Sequence, residues 1–507
     1  MLFPVILLRG MSLDGITYAT IARNLAVGIG DFWHPYYTAT LLHPFHEQPP
    51  LAFLLEGMFF TTLGDKWWVE RLYSVLTVVP TIGVLVLIWR RLLAGAPYQR
   101  FSWLPILFWI VMPAWFWIYR HNYLENTLGM FTALAVYASL RATDDRRWWA
   151  AWTILSAAAI VAALGSKGPV GLFPVVTPAI AWLTLRRTSF SRAVGLQLAL
   201  VTSLGVLTGL VWMHQPAREY LSTYFDKQVL ISLQGARETK VSSWGRFYLV
   251  WSLILDLLCT GALAVALVAW GRAGGRGLVV RPRGSRRGVG RSTQPSSRAQ
   301  ADGRLSTGGW GLGTTSLRGP LAFCLLTALS ASLPIMISPK QSAYYAAPSW
   351  PFFCMALAIW CLPAVAALTE DWAARASYAR TSSWLRIAAL GAAALAVVLS
   401  PLWYGRALRD AQLVRDVDCI ARLVDPRDKI VMGPTIEGKW SLGAYLYRKH
   451  FISLEPAGAR GAYRLELAES EETPMPEYLL QDSGLTMFRL YRRQDVATSP
   501  GQVAPPR

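Results

Sequence analysis

Apolar runs alternate with short polar breaks along most of this chain. The runs fall near 68–89, 102–118, 126–141, 148–164, 169–185, 193–213, 247–270, 320–337, 344–366 and 387–404. About 20 apolar residues in a helix cross the roughly 30 Å hydrocarbon layer of a bilayer. Residues 1–9, "MLFPVILLR", supply only a partial first span. Either the true start lies upstream or neighbouring helices shield this run; it is also too short for a signal peptide. The pattern therefore predicts an all-α polytopic membrane protein with about eleven transmembrane helices. After residue 404 the pattern changes. "DKIVMG", "FISLE" and "LTMFRLYRR" read as strands, and "KWSLGAYLYRK" as a helix. Residues 405–507 are expected to form a small extracytoplasmic α/β domain, on the same face as the candidate site residues below, with 1–404 as the transmembrane domain.

One apolar stretch, 51–63, is too short to span and is bounded by Pro50 and Gly64. Charge places it. Loops with Arg90, Arg91 and Arg100, with Arg141, Arg146 and Arg147, with Arg186, Arg187 and Arg192, and with Arg375, Arg380 and Arg386 are all cytoplasmic only if 51–63 does not cross. It is then expected to lie flat in the interface. So is 15–27, which mixes Ile16, Ala19 and Val27 with Thr20, Arg23 and Asn24. The remaining loops (10–67, Arg120 to Glu125, Lys167 to Pro169, 214–246, and Lys340 to Tyr345) share the extracytoplasmic side. Every polar group that looks out of place is in that set.

Composition agrees. Of 507 residues 53% are hydrophobic and only 16% charged, against about 25% charged in soluble domains. The 23 Trp fit interfacial anchoring. The net charge of +19 does not imply nucleic acid. Residues 272–318 hold ten Arg against one acid, Asp302, and the rest is spread over short loops. That Gly-, Ser- and Arg-rich stretch, 271–319, is expected to be a disordered cytoplasmic loop near anionic headgroups. Cys259, Cys324, Cys354, Cys361 and Cys419 show neither metal-ligand nor disulfide spacing. No internal repeat is evident.

The candidate chemistry lies in five short stretches. Asp14 follows the first apolar run and heads an interfacial helix; there it is either a solvated loop acid or a general base. Glu47 precedes Pro49 and Pro50, as helix cap or as site residue. In "YRHNYLENTLGMF", Glu125 either pairs with Arg120 or faces a site, since ionisable groups at membrane depth are costly. His121 and Glu125 make an i, i+4 pair without a third ligand, so no metal site is assigned, although a divalent metal stays open. Lys167 and Lys340 break the positive-inside trend, either snorkelling to headgroups or neutralising a phosphate. Tyr344 and Tyr345 donate hydrogen bonds or belong to an aromatic belt. A carboxylate base, several cations and a groove beside lipid fit transfer from a lipid-linked phosphate donor, because a phosphate already leaves well.

These residues resemble the polyprenyl-phosphate-dependent glycosyltransferases of the GT-C class, in particular the bacterial members related to lipid A aminoarabinose transferase and protein O-mannosyltransferases. The family's opening pattern stands here as Asp14, Tyr18, "IARNL", "EQPP" and "LGDKWWVERL". Its acidic residue at a span start falls on Glu125, its "K-G-P" loop on Lys167-Gly168-Pro169, and its late element on Lys340, Tyr344 and Pro348. The likeness covers roughly residues 1–365. The resemblance implies an inverting transfer of a sugar from a polyprenyl-phosphate-linked donor to an extracytoplasmic lipid, glycan or protein acceptor, in the bacterial inner membrane. It makes Asp14, Glu47 and Glu125 the candidate catalytic residues. Tyr18, Arg120, Lys167, Lys340, Tyr344 and Tyr345 are the candidate substrate contacts. Two departures stand out: the family's Glu after Asp is Gly15, and the Lys of its "EKPP" is Gln48. Two other classes remain. A lipid or sugar transporter would set ionisable groups near span centres. A noncatalytic relative would bind lipid-linked sugar without transferring it.

Overall fold

The computed structural model describes residues 3–234, 247–275, 314–338, 341–375, 377–470, 476–481 and 484–494. Among them, seven helices are long and apolar enough to cross a membrane: Val69–Leu92, Trp149–Lys167, Phe190–Met213, Tyr248–Arg272, Leu317–Ile337, Ala343–Ala374 and Ala379–Trp403. Each lies on a run read from the sequence. The chain is thus a multi-pass, largely helical membrane protein.

The remaining expected spans are less regular, each for a local reason. The 102–118 run is two pieces, Pro97–Ile110 and Pro113–Arg120, bent by 75°. Met112 is extended and Pro113 opens the second piece, where proline's missing N–H does no harm. The Leu124–Asp144 helix has 21 residues but carries Glu125, Arg141 and Asp144. Pro169–Leu185 is a shorter apolar helix that begins as 3-10 turns around Pro174. Among the described residues of the opening run, only Phe3–Ile6 is helical. Its continuation pairs with the chain after the last span: Arg9 N–H donates to the Arg406 carbonyl at 2.8 Å, and Gly405 N–H to Leu7 at 3.1 Å. At the Arg-rich insert, the flanking helices Tyr248–Gly275 and Thr314–Ser332 take both ends. The predicted disorder at 276–313 falls outside the described residues.

The expected tryptophan belt is partly a tryptophan core. Trp89 and Trp350 are fully buried, and Trp109 and Trp115 pack edge-on with centroids 5.8 Å apart. Leu124–Asp144 packs against Trp149–Lys167 through small residues such as Ala135, Ala157 and Ser156.

The tail has a five-stranded mixed sheet in the order β2-β1-β3-β5-β4. β1 (Lys429–Met432) runs parallel to β2 (Ser453–Glu455) and β3 (Tyr463–Leu467). β5 (Phe488–Arg493) is antiparallel to β3 and to β4 (Tyr478–Leu480). The three strands and the Trp440–His450 helix read from the sequence are present. The Ala411–Leu423 helix, β3 and β4 complete the domain.

The Leu13–Ala26 helix is not an amphipathic surface helix. Leu51–Leu63 covers one side and Trp440–His450 another, so Gly15, Ile16 and Tyr18 through Asn24 are all buried. Its polar residues are matched. Arg23 donates to Asp65 at 3.2 Å and to the Tyr447 carbonyl at 2.8 Å, and Asn24 donates to the Tyr36 and Tyr37 carbonyls. Leu51–Leu63 has 13 residues and rises only about 20 Å, short of a span.

Candidate functional site

The site begins with a helix start. Ser12 is the N-cap of Leu13–Ala26, and its hydroxyl accepts from Gly15 N–H at 3.4 Å. Asp14 sits in the first turn, where the helix dipole favours a carboxylate. Several bonds hold this corner. Ser12 N–H donates to His121 Nδ1 at 3.1 Å. Arg71, fully buried, donates to the carbonyls of Leu8, Gly10 and Arg120. Gly15 packs against His121 so closely that a Cβ would lie 1.8 Å from the His121 carbonyl oxygen. No side chain fits where the family pattern has Glu.

Asp14 opens into a cavity of about 540 Å³ lined also by Thr17, Tyr18, Tyr37, Glu47, Gln48, Lys167, Tyr224, Tyr344, Tyr345 and Trp440. That volume suits a small polar ligand or a glycosyl group. The Tyr344 hydroxyl donates to Asp14 Oδ2 at 3.0 Å. Lys167 Nζ lies 2.5 Å from Glu125 Oε1, with the two side chains 6% and 0% exposed. The same ammonium sits 5.4 and 5.1 Å from the ring centres of Tyr344 and Tyr345. Glu125 Oε2 accepts no hydrogen bond from any described residue. The partner of Glu125 is therefore Lys167 rather than Arg120.

Glu47 reaches the cavity from the loop before Pro50. The Tyr220 hydroxyl anchors that loop on the Phe45 and Gln48 carbonyls at 2.8 and 2.6 Å. Beside it, burial and the nearby Lys227 hold the His46 imidazole below its ordinary pKa, so it is neutral at pH 7. Gly168 follows Lys167 with φ +79, and a Cβ there would meet the Tyr224 hydroxyl at 2.1 Å. The lysine thus ends its helix at a turn that only glycine makes comfortably.

Of the residues singled out from sequence, Asp14, Tyr18, Glu47, Lys167, Tyr344 and Tyr345 line this one cavity, with Glu125 behind Lys167. Arg120 does not line it; it ends the Pro113–Arg120 helix beside Arg71. Lys340 lies outside the described residues. His121 is engaged by Ser12 and Glu125 by Lys167, so the two do not act as a ligand pair. One carboxylate departs from the rule that ionisable groups gather at span ends: Asp256 lies half-buried within Tyr248–Arg272, and its Oδ2 has no hydrogen-bond partner among the described residues. Sequence reading missed Tyr37, Tyr224 and Trp440. It also missed Glu56, which accepts from Asn122 at 2.8 Å and was visible as a lone acid in "LLEGMFF".

Residues 47–212 match the family model described as dolichyl-phosphate-mannose-protein mannosyltransferase. The crystal structure of ArnT from Cupriavidus metallidurans bound to undecaprenyl phosphate superposes with a TM-score of 0.60 at 16% identity. The match covers 99% of this chain and 97% of that one. The apo state of the same protein gives the same values. The Archaeoglobus fulgidus oligosaccharyltransferase in the apo form is more distant, with a TM-score of 0.44 at 11% identity over 90% of this chain and 62% of that one. No curated protein matches. The chain has the fold of ArnT, and over residues 47–212 the resemblance to the protein mannosyltransferases read from the sequence is borne out.

Proposed function

We propose that this protein is an integral membrane glycosyltransferase that moves a sugar from a polyprenyl-phosphate donor to an acceptor on the extracytoplasmic side, with inversion. The observation that carries the reading is the single cavity holding a capped-helix carboxylate, Asp14, within the same wall as the Lys167 ammonium. Support also comes from the ArnT fold, seen in that protein with undecaprenyl phosphate bound.

In this reading the acceptor hydroxyl or amine gives its proton to Asp14 while its heteroatom attacks the anomeric carbon from the face opposite the phosphate. The bond from that carbon to the phosphate oxygen breaks, and its electron pair leaves on the polyprenyl phosphate. Tyr344 holds Asp14 in one orientation through the 3.0 Å hydrogen bond. An ammonium has three N–H donors. The Glu125 contact occupies one, leaving Lys167 able to bind the leaving phosphate, with Lys340 as a second cation. Glu47, Tyr18 and Tyr345 offer hydrogen bonds to sugar hydroxyls. The tail supplies Trp440 to the cavity wall, so the acceptor meets the tail domain as it approaches.

The test is transfer of labelled sugar from a polyprenyl-phosphate donor in purified Asp14→Asn. Loss of transfer by about 10²-fold or more is expected for a missing general base, with the thermal unfolding midpoint unchanged. Full transfer by the folded variant would remove Asp14 from the chemistry.

A further inference from the structure

A second groove lies away from the reaction cavity, where the last span meets the tail domain. It has a volume of about 460 Å³ and is lined by Arg9, Gly405, Ala407, Ala411, Val414, Arg415, Asp418 and Arg422. Its charge is unbalanced. Asp418 is the one carboxylate in the lining, and Arg9 already holds it at 2.6 Å. Lys449 and His450 also face Asp418, at 3.8 and 3.5 Å. The neighbouring acids are engaged elsewhere: Asp410 accepts from Tyr445, and Asp416 from the backbone of Thr486 and Met487. Arg415 is exposed and pairs with no described residue; Arg422 donates only to Cys419 Sγ, at 2.9 Å.

The groove's position tells which anion it meets. Gly405 is two residues beyond the end of the Ala379–Trp403 span. Leu402, Tyr404 and Leu408 project exposed around it, at 61%, 61% and 57%. Apolar and aromatic side chains that stay exposed at a span end sit among lipid headgroups. Guanidinium groups are suited to bidentate binding of phosphate. We infer that this groove binds a phosphate-bearing anion, namely the headgroup of an anionic phospholipid, with Arg415 and Arg422 as its ligands and Arg9 fixing the wall behind them. The site holds the tail domain against the membrane surface and is separate from the donor cavity.

Native mass spectrometry of the full chain released from nanodiscs of equal phosphatidylglycerol and phosphatidylcholine tests this. Wild type is expected to retain phosphatidylglycerol in preference to phosphatidylcholine. The exposed double variant Arg415→Gln/Arg422→Gln should lose that retention by roughly tenfold or more. Equal retention of the two lipids, or retention unchanged in the variant, overturns the site. Displacement of the lipid by millimolar inorganic phosphate overturns the assignment to a lipid and makes the groove a site for free phosphate. Circular dichroism of the variant, matching wild type, ties the loss to the two side chains rather than to folding.

Discussion

Gly15→Ala sets two elementary effects against each other. In the interior of a helix, Gly to Ala ordinarily stabilises by about 1 kcal/mol through backbone entropy. Here the added methyl would lie 1.8 Å from the His121 carbonyl oxygen and 2.7 Å from Met11 Sδ. A relaxed carbon-to-oxygen contact is about 3.3 Å, so helix and turn must separate by roughly 1.5 Å. Met11 can swing away, but the His121 carbonyl is backbone in the turn between two helices and cannot. Overpacking of this kind costs about 1–3 kcal/mol, which exceeds the propensity gain. The displaced residue is the neighbour of Asp14, and a misplacement of about 1 Å at a reacting group costs about 10²-fold in rate. The expected outcome is a lower unfolding midpoint in detergent and a loss of sugar transfer far larger than the lost stability explains. An Ala variant that melts at or above wild type and transfers at full rate would refute the argument that contact with His121 fixes this corner.

Lys167→Met should destabilise by about 3–5 kcal/mol, since it strands the fully buried Glu125 without its partner. The double variant Lys167→Met/Glu125→Gln should recover most of the unfolding midpoint but not transfer, and recovery of both would show that the pair is purely structural. Arg448 bridges Asp65 at 2.5 Å and Glu70 at 3.0 Å with all but a few per cent of its side chain buried. Arg448→Met is therefore expected to loosen the tail from the first loop, read as faster protease cleavage between residues 405 and 440 with the transmembrane helices intact; unchanged resistance would count against it.

Much of this protein follows from its sequence because hydrophobic length is a local property. A run such as 193–213 must lie in lipid whatever its neighbours do, so the multi-pass class and most helix positions could be read directly. Short apolar runs bounded by turn residues likewise located β1, β2 and β5. The loop order carried Asp14, Glu47, Lys167 and Tyr344 to one level, and the cavity brings those four together. What sequence could not settle was partnership. Glu125 had a nearby cation in Arg120, yet its partner is Lys167, 42 positions away, because the Leu124–Asp144 and Trp149–Lys167 helices return antiparallel and face each other. Arg23 made the first helix look like a surface element; only docking of the distant Tyr447 carbonyl and of Asp65 allows its burial. Trp440 lines the cavity although it is more than 400 residues from Asp14. Such contacts depend on how packed surfaces fit, which no local pattern encodes. Tertiary structure alone therefore decided which charges face each other and which face the open cavity.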